Sequence, residues 1–253
     1  MLVFPCKDEL AFVLKWENGV YYSFSYPHSR PSFIPIIGVT HLDLTCKSLL
    51  LQTPHGLKLI EGAGERSVFA EGPRVYFIGS KGLISILNSN KVIVEIDGKV
   101  FALEGRLLFA KRIKGKITLG ILKPPWLHLL LAEDEVEEAG KVHISKLGDL
   151  NSLKVTDNGL IITGDGRAIV NGDEVVIGEA EDALLYEDLL LVLRKGEVEV
   201  LDVRGNAMLR WKLKGDSLSE KLVIMDKPYV LRAFEIIKNN KVLLYFLLEE
   251  LGV

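Results

Sequence analysis

Residues 188–213 read DLLLVLRKGEVEVLDVRGNAMLRWKL, and their pattern decides the fold class. An apolar run, 189–193, stops at Lys195-Gly196. In the run that follows, Val198, Val200 and Val203 alternate with Glu197, Glu199 and Asp202, apart from one slip near Leu201. Arg204-Gly205-Asn206 interrupts it, and a third run, 207–213, carries Leu209, Arg210 and Trp211. A period of two marks a half-buried strand. Glycine and asparagine supply the positive φ that tight hairpin turns require. The stretch is therefore predicted to be three antiparallel strands joined by tight turns.

The same phrase recurs on both sides. Toward the N-terminus, 10–14 leads through Glu17-Asn18-Gly19 into 20–26, and 49–51 through Pro54-His55-Gly56 into 57–60. Run 75–78 passes Ser80-Lys81-Gly82 into 83–87, and a third run, 92–96, ends at Asp97-Gly98. Run 107–110 turns at Lys114-Gly115 into 116–122, and 127–131 reaches Ala139-Gly140 before 141–144. Run 160–163 turns at Gly164-Asp165-Gly166 into 168–170, with 174–177 after Asn171-Gly172-Asp173. Toward the C-terminus, 229–237 turns at Asn239-Asn240 into 242–248. Parallel α/β folds need helical crossovers of about ten residues or more between strands. Here the helix candidates, 133–138, 217–222 and 247–251, are shorter than that.

A unit recurring at intervals of about 30 residues is the mark of a propeller, solenoid or array. Residues 188–213 resemble a blade of the PQQ-type or WD40-like β-propellers: a strand ends in Asp202, a glycine turn follows, and the next strand carries Trp211 near its end. The Gly-His and Trp-Asp dipeptides of WD40 repeats are absent. The resemblance implies an all-β fold, a β-propeller of about seven short blades, with six to eight compatible with the length. A β-sandwich or two small β-domains is the alternative. The whole chain, 1–253, is read as one domain, a size that β-propellers and barrels reach.

With 31 Lys+Arg against 34 Asp+Glu, the formal net charge is -3, which gives no electrostatic reason to expect nucleic acid. No apolar run approaches the roughly 18 residues needed to span a bilayer, and no cleavable leader is visible at the start. A cytoplasmic protein is expected. Gln52 is the sole glutamine while Lys and Glu are plentiful, a composition that fits a thermophile. The two cysteines, Cys6 and Cys46, are too few for a zinc site and are expected to be buried free thiols. A disulfide between them is the other reading, since intracellular disulfides persist in hyperthermophiles.

No phosphate-binding loop, nucleophile elbow, zinc-protease or dinucleotide motif occurs, so neither a cofactor nor a catalytic residue is assigned. His41 and Asp43 fall on one face of a strand, as an acid–base or metal pair would, or as a structural hydrogen-bonded pair. His128 and His143 flank an acidic stretch in which Glu133 or Asp134 would complete a composite metal site. Lys111, Arg112, Lys114 and Lys116 form a basic hairpin that could track a phosphate backbone, or that guards a sheet edge. The acidic runs 133–138 and 179–182 are expected to be solvated loops. Pro124-Pro125-Trp126 is the strongest candidate for a partner contact, two prolines stiffening a residue type enriched at interface hot spots. The other role for this tryptophan is a plug between blades. The leading functional expectation is a non-enzymatic protein-interaction scaffold, a subunit or adaptor with an unidentified protein partner. An enzyme or small-ligand binder at a central channel, with a metal at His41, His128 or His143, comes second. A nucleic-acid-associated factor comes third.

Overall fold

In the computed structural model each pair of apolar runs becomes an antiparallel hairpin. It describes residues 1–62, 64–68, 74–79, 82–87, 91–113, 116–145, 147, 150–156, 159–238 and 241–253. Among these there is no helix, and the strands form seven sheets. The first runs β1 (Leu2–Cys6), β2 (Glu9–Trp16), β3 (Gly19–Tyr26) and β4 (Ser32–Pro35). The second holds β5 (His41–Leu44), β6 (Ser48–Thr53), β7 (Gly56–Glu61) and β8 (Gly64–Val68), and the third β9 (Arg74–Ile78), β10 (Leu83–Leu87), β11 (Lys91–Ile96) and β12 (Lys99–Glu104). The fourth comprises β13 (Arg106–Ile113), β14 (Lys116–Lys123), β15 (Trp126–Ala132) and β16 (Val136–His143). Next come β17 (Leu150–Thr156), β18 (Gly159–Gly164), β19 (Arg167–Val170) and β20 (Asp173–Val176), then β21 (Asp182–Tyr186), β22 (Leu189–Arg194), β23 (Glu197–Asp202) and β24 (Ala207–Lys212). The seventh sheet has three strands, β25 (Ser219–Ile224), β26 (Pro228–Lys238) and β27 (Lys241–Glu250). In every sheet the spatial order follows the chain.

Local chemistry explains this order. Gly196, at φ 75°, makes the turn from β22 to β23, a conformation that a side chain would strain. The slip near Leu201 is a real irregularity, because the β23–β24 register shifts between Val200 and Leu201. Asp202 then shapes the next turn: its carboxylate accepts bonds from the Arg204 and Asn206 N–H groups at 2.9 and 2.8 Å. The three helix candidates are strand or bend instead, with β16 starting at Val136, β25 at Ser219 and β27 running to Glu250. Segments of that length are too short to nucleate a helix, whereas strand pairing satisfies their backbone.

Two compact units result, one of Met1, Val3–Leu10 and Lys146–Val253, the other of Leu2 and Ala11–Ser145. In the first, Leu190, Val192 and Ala168 belong to one apolar cluster, and Leu191, Val198 and Val230 to another. In the second, Ile84, Val94, Leu119 and Ile121 are buried together. Adjacent residues of β22 thus serve different clusters, so a run buried on both faces carries no alternation. The acidic runs depart from expectation, since 136–138 lies in β16 and Asp182 is fully buried. The free-thiol expectation is also corrected: Cys6 and Cys46 are disulfide-bonded, and no free cysteine is present. Both are half-buried, so the burial preference of a lone thiol was a poor guide.

Candidate interaction surface

Strand β14 ends at Lys123, and β15 begins at Trp126, directly across the turn in register. Pro124 and Pro125, joined by a cis peptide bond, make the turn and are exposed. The Pro125 carbonyl accepts a bond from the Ile144 N–H at 2.9 Å, tying the turn to the end of β16. Trp126 is 37% exposed. Its ring meets that of His143, opposite it in register, edge-on at 4.7 Å, and Lys141 Nζ sits 5.1 Å from its centroid. His143 Nδ1 is 3.2 Å from Ser145 Oγ. Two pairs further along, His128 lies opposite Lys141, and its Nδ1 is 2.8 Å from Glu138 Oε2. That hydrogen bond holds the Glu138 carboxyl below the usual range. A clamped aromatic ring bordered by an ammonium and an imidazole suits a partner presenting apolar and acidic groups together.

The composite metal site is not assembled. His128 takes Glu138 as its acid, and Asp134 pairs with Lys99 at 2.8 Å. Among the described residues no cluster of three potential metal ligands occurs. Of the basic hairpin, Lys111 and Lys116 are exposed, opposite Thr118 and Ile113 respectively. Arg112 occupies the alternate register position, opposite Ile117, and Lys114 lies outside the described residues.

His41 and Asp43 share a face of β5, as predicted, but each engages β9. The His41 ring stands edge-on to Phe77 at 4.6 Å, its Nε2 buried without a partner, and burial lowers its pKa. Asp43 Oδ2 accepts from the Ile78 N–H at 2.7 Å, while burial pushes its pKa up to about 6. Lys111 is exposed overall, although surrounding protein lowers its pKa against the pull of Asp43; exposure of that degree lets solvent screen the pair.

Sequence reasoning missed what holds neighbouring sheets together. Gln52, noticed only for its rarity, accepts from the Tyr76 N–H at 3.2 Å and donates to the Arg74 carbonyl at 2.5 Å. In the other unit, buried Asp182 accepts from the Leu222 N–H at 3.0 Å and from Lys154 Nζ at 2.5 Å. Asp43 and Asp182 thus do the same work, each on the first strand of its sheet, capping a backbone donor on the first strand of the next. An acid at the head of the apolar run 183–185 was the available signal.

No family model matches the chain, and no curated protein does. Solved structures do. BamB from Moraxella catarrhalis aligns over 97% of this chain and 95% of its own, at 11% identity and a TM-score of 0.55. Hsv2p of Kluyveromyces lactis covers 96% of each chain at 10% identity and 0.55. The WD40 propeller domain of Doa1 covers 89% and 86% at 12% and 0.54. With seven consecutive meander sheets aligned in this way, the chain has the β-propeller fold, each sheet a blade.

Proposed function

We propose that the protein is a non-catalytic interaction scaffold, a subunit or adaptor that holds a protein partner against the β15–β16 face around Trp126. The observation that carries this reading is the exposed tryptophan, fixed between His143 and Lys141 on a proline-stiffened turn. A large ring already held in place loses little freedom on binding, and tryptophan is the residue type most enriched at hot spots. The test is quantitative capture from native extract with wild-type protein and Trp126→Ala. A partner held by the wild type should bind Trp126→Ala about 30-fold more weakly, the effect of a hot-spot residue, with the unfolding midpoint unchanged. Equal retention by both proteins would sink the reading.

A cytoplasmic location is proposed together with a hyperthermophilic source, because the disulfide makes the two depend on each other. A second reading, a small-ligand site at His41 and Asp43, is favoured by the buried, unpartnered His41 Nε2. Calorimetric titration with zinc tests its metal version: His41-dependent uptake supports it, and no uptake removes it.

A further inference from the structure

We propose that β27 is an association edge, along which two copies of this chain pair antiparallel into one continuous sheet. The first observation is a contrast between edges. Six sheets end on a fourth strand, and each of those strands carries a feature that discourages further pairing. Pro35 ends β4, Glu65 and Arg66 lie in β8, β12 is only six residues long between Lys99 and Glu104, and Asp173 and Glu174 open β20. Strands β16 and β24 carry charges and lie against register shifts. Strand β27 closes a sheet of three and is ten residues long: it reads KVLLYFLLEE, without proline, its charges confined to Lys241 at the start and to Glu249 and Glu250 at the close. Its register with β26 runs unbroken from Tyr229 opposite Glu250 to Lys238 opposite Lys241.

The second observation concerns what the edge presents. Strand β25 pairs with β26 only as far as Ala233, so the stretch beyond is a two-stranded ribbon, which is marginal in water by itself. Ile236, Ile237, Val242, Leu243 and Tyr245 are all exposed along it, on both faces, Ile237 at 77%. The Leu251 N–H donates to the Pro228 carbonyl at 2.9 Å, which sets the phase of the ladder. By alternation, Leu243, Tyr245 and Leu247 direct their N–H groups at β26, and Val242, Leu244 and Leu248 direct theirs away from it.

Charge selects the occupant. The strand carries Lys241 at one end and Glu249 near the other, with apolar residues between; one carboxylate oxygen of Glu249 is bound to Arg232 at 2.9 Å, and the proposed pairing uses the other. An antiparallel twofold pairing centred on Tyr245 places Lys241 opposite the partner's Glu249, Leu243 opposite the partner's Leu247, and Val242 opposite the partner's Leu248. The edge is complementary to itself in charge, in apolar match and in hydrogen-bond phase, as an isologous interface requires.

The test is the mass in solution by sedimentation equilibrium over a concentration series, at low and high salt. Wild-type protein should give twice the chain mass of 28.2 kDa. Lys241→Glu faces the partner's Glu249 twice per dimer, and should raise the dissociation constant at least about tenfold at low salt, less at high salt. Within the chain that substitution replaces the like-charge pair Lys238–Lys241 by an opposite-charge pair, so the hairpin itself is not weakened. Leu244→Pro removes a donor that points away from β26, and should give a monomer whose unfolding midpoint matches that of wild-type protein diluted below its dissociation constant. A wild-type monomer at every concentration overturns the proposal, as does an unchanged dissociation constant in Lys241→Glu.

Discussion

Asp43 is held by two opposing influences: the Ile78 N–H stabilises its carboxylate, while burial penalises the charge and wins, raising its pKa to about 6. A carboxyl whose pKa is higher folded than unfolded binds its proton more tightly in the native state. Its contribution to stability is therefore complete below the unfolded value, near 4, and is lost as pH rises through about 6. His41 acts in the opposite sense. Its lowered pKa favours the neutral ring, so its contribution is present above about 6.5 and fades as pH falls. Asp43→Asn separates them, because an amide oxygen can still accept from Ile78. At pH 7 the variant should be more stable than wild type by on the order of 2 kcal/mol, and the difference should vanish near pH 4. Urea unfolding at several pH values reads this, and a variant less stable at pH 7 would contradict it. Nothing about this balance was legible in the sequence beyond the shared strand face, because burial comes from β9, distant along the chain.

Strand pairing was legible wherever a turn carried glycine between two apolar runs, as at Gly196, and even the bulge beside Leu201 showed as a broken alternation. Terminal strands such as β4, β8 and β12 were not. Strand β8 is short and polar, and is a strand because the longer β7 offers it a ladder. Windows such as 217–222 fit a helical and an extended period equally well, and the tertiary partner decides between them. Arg232 shows how such elements are then held. Fully buried on β26, it donates to Glu220 of β25 and Glu249 of β27, both at 2.9 Å, and to the carbonyls of Lys214 and Gly215 at 2.8 and 2.6 Å. One guanidinium thus fastens three strands and the segment leading into them. Arg232→Met keeps the volume but leaves Glu220 buried without its cation, and Glu220 Oε2 already lacks a partner. A loss of about 3–5 kcal/mol is expected in chemical denaturation, the cost of breaking a buried pair from one side. Adding Glu220→Gln should restore part of it. A wild-type midpoint in Arg232→Met would show that the ion cluster is dispensable.

For the whole molecule, the repeat was the readable quantity: meanders at near-regular spacing led to the propeller, and seven sheets realise it. What the repeat could not express was any single link that breaks it, and the disulfide is such a link. Both cysteines are disulfide-bonded, and Cys6 and Cys46 stand about 40 residues apart in the chain. In the chain-entropy account, a loop of roughly 40 residues removes enough freedom from the unfolded chain to stabilise the fold by about 4 kcal/mol. For a chain of this length that corresponds to a shift of about 10 °C in Tm. Unreduced protein should therefore show no reactive thiol in denaturant, and reduced protein two per chain. Scanning calorimetry of reduced protein, and of the Cys6→Ser, Cys46→Ser variant, should find the transition lowered by that amount. We propose further that residues 1–253 unfold as one domain, so the shift should move a single peak. A peak that splits, with only part of the heat displaced, would mean that the two compact units melt separately and that the disulfide stabilises only part of the fold.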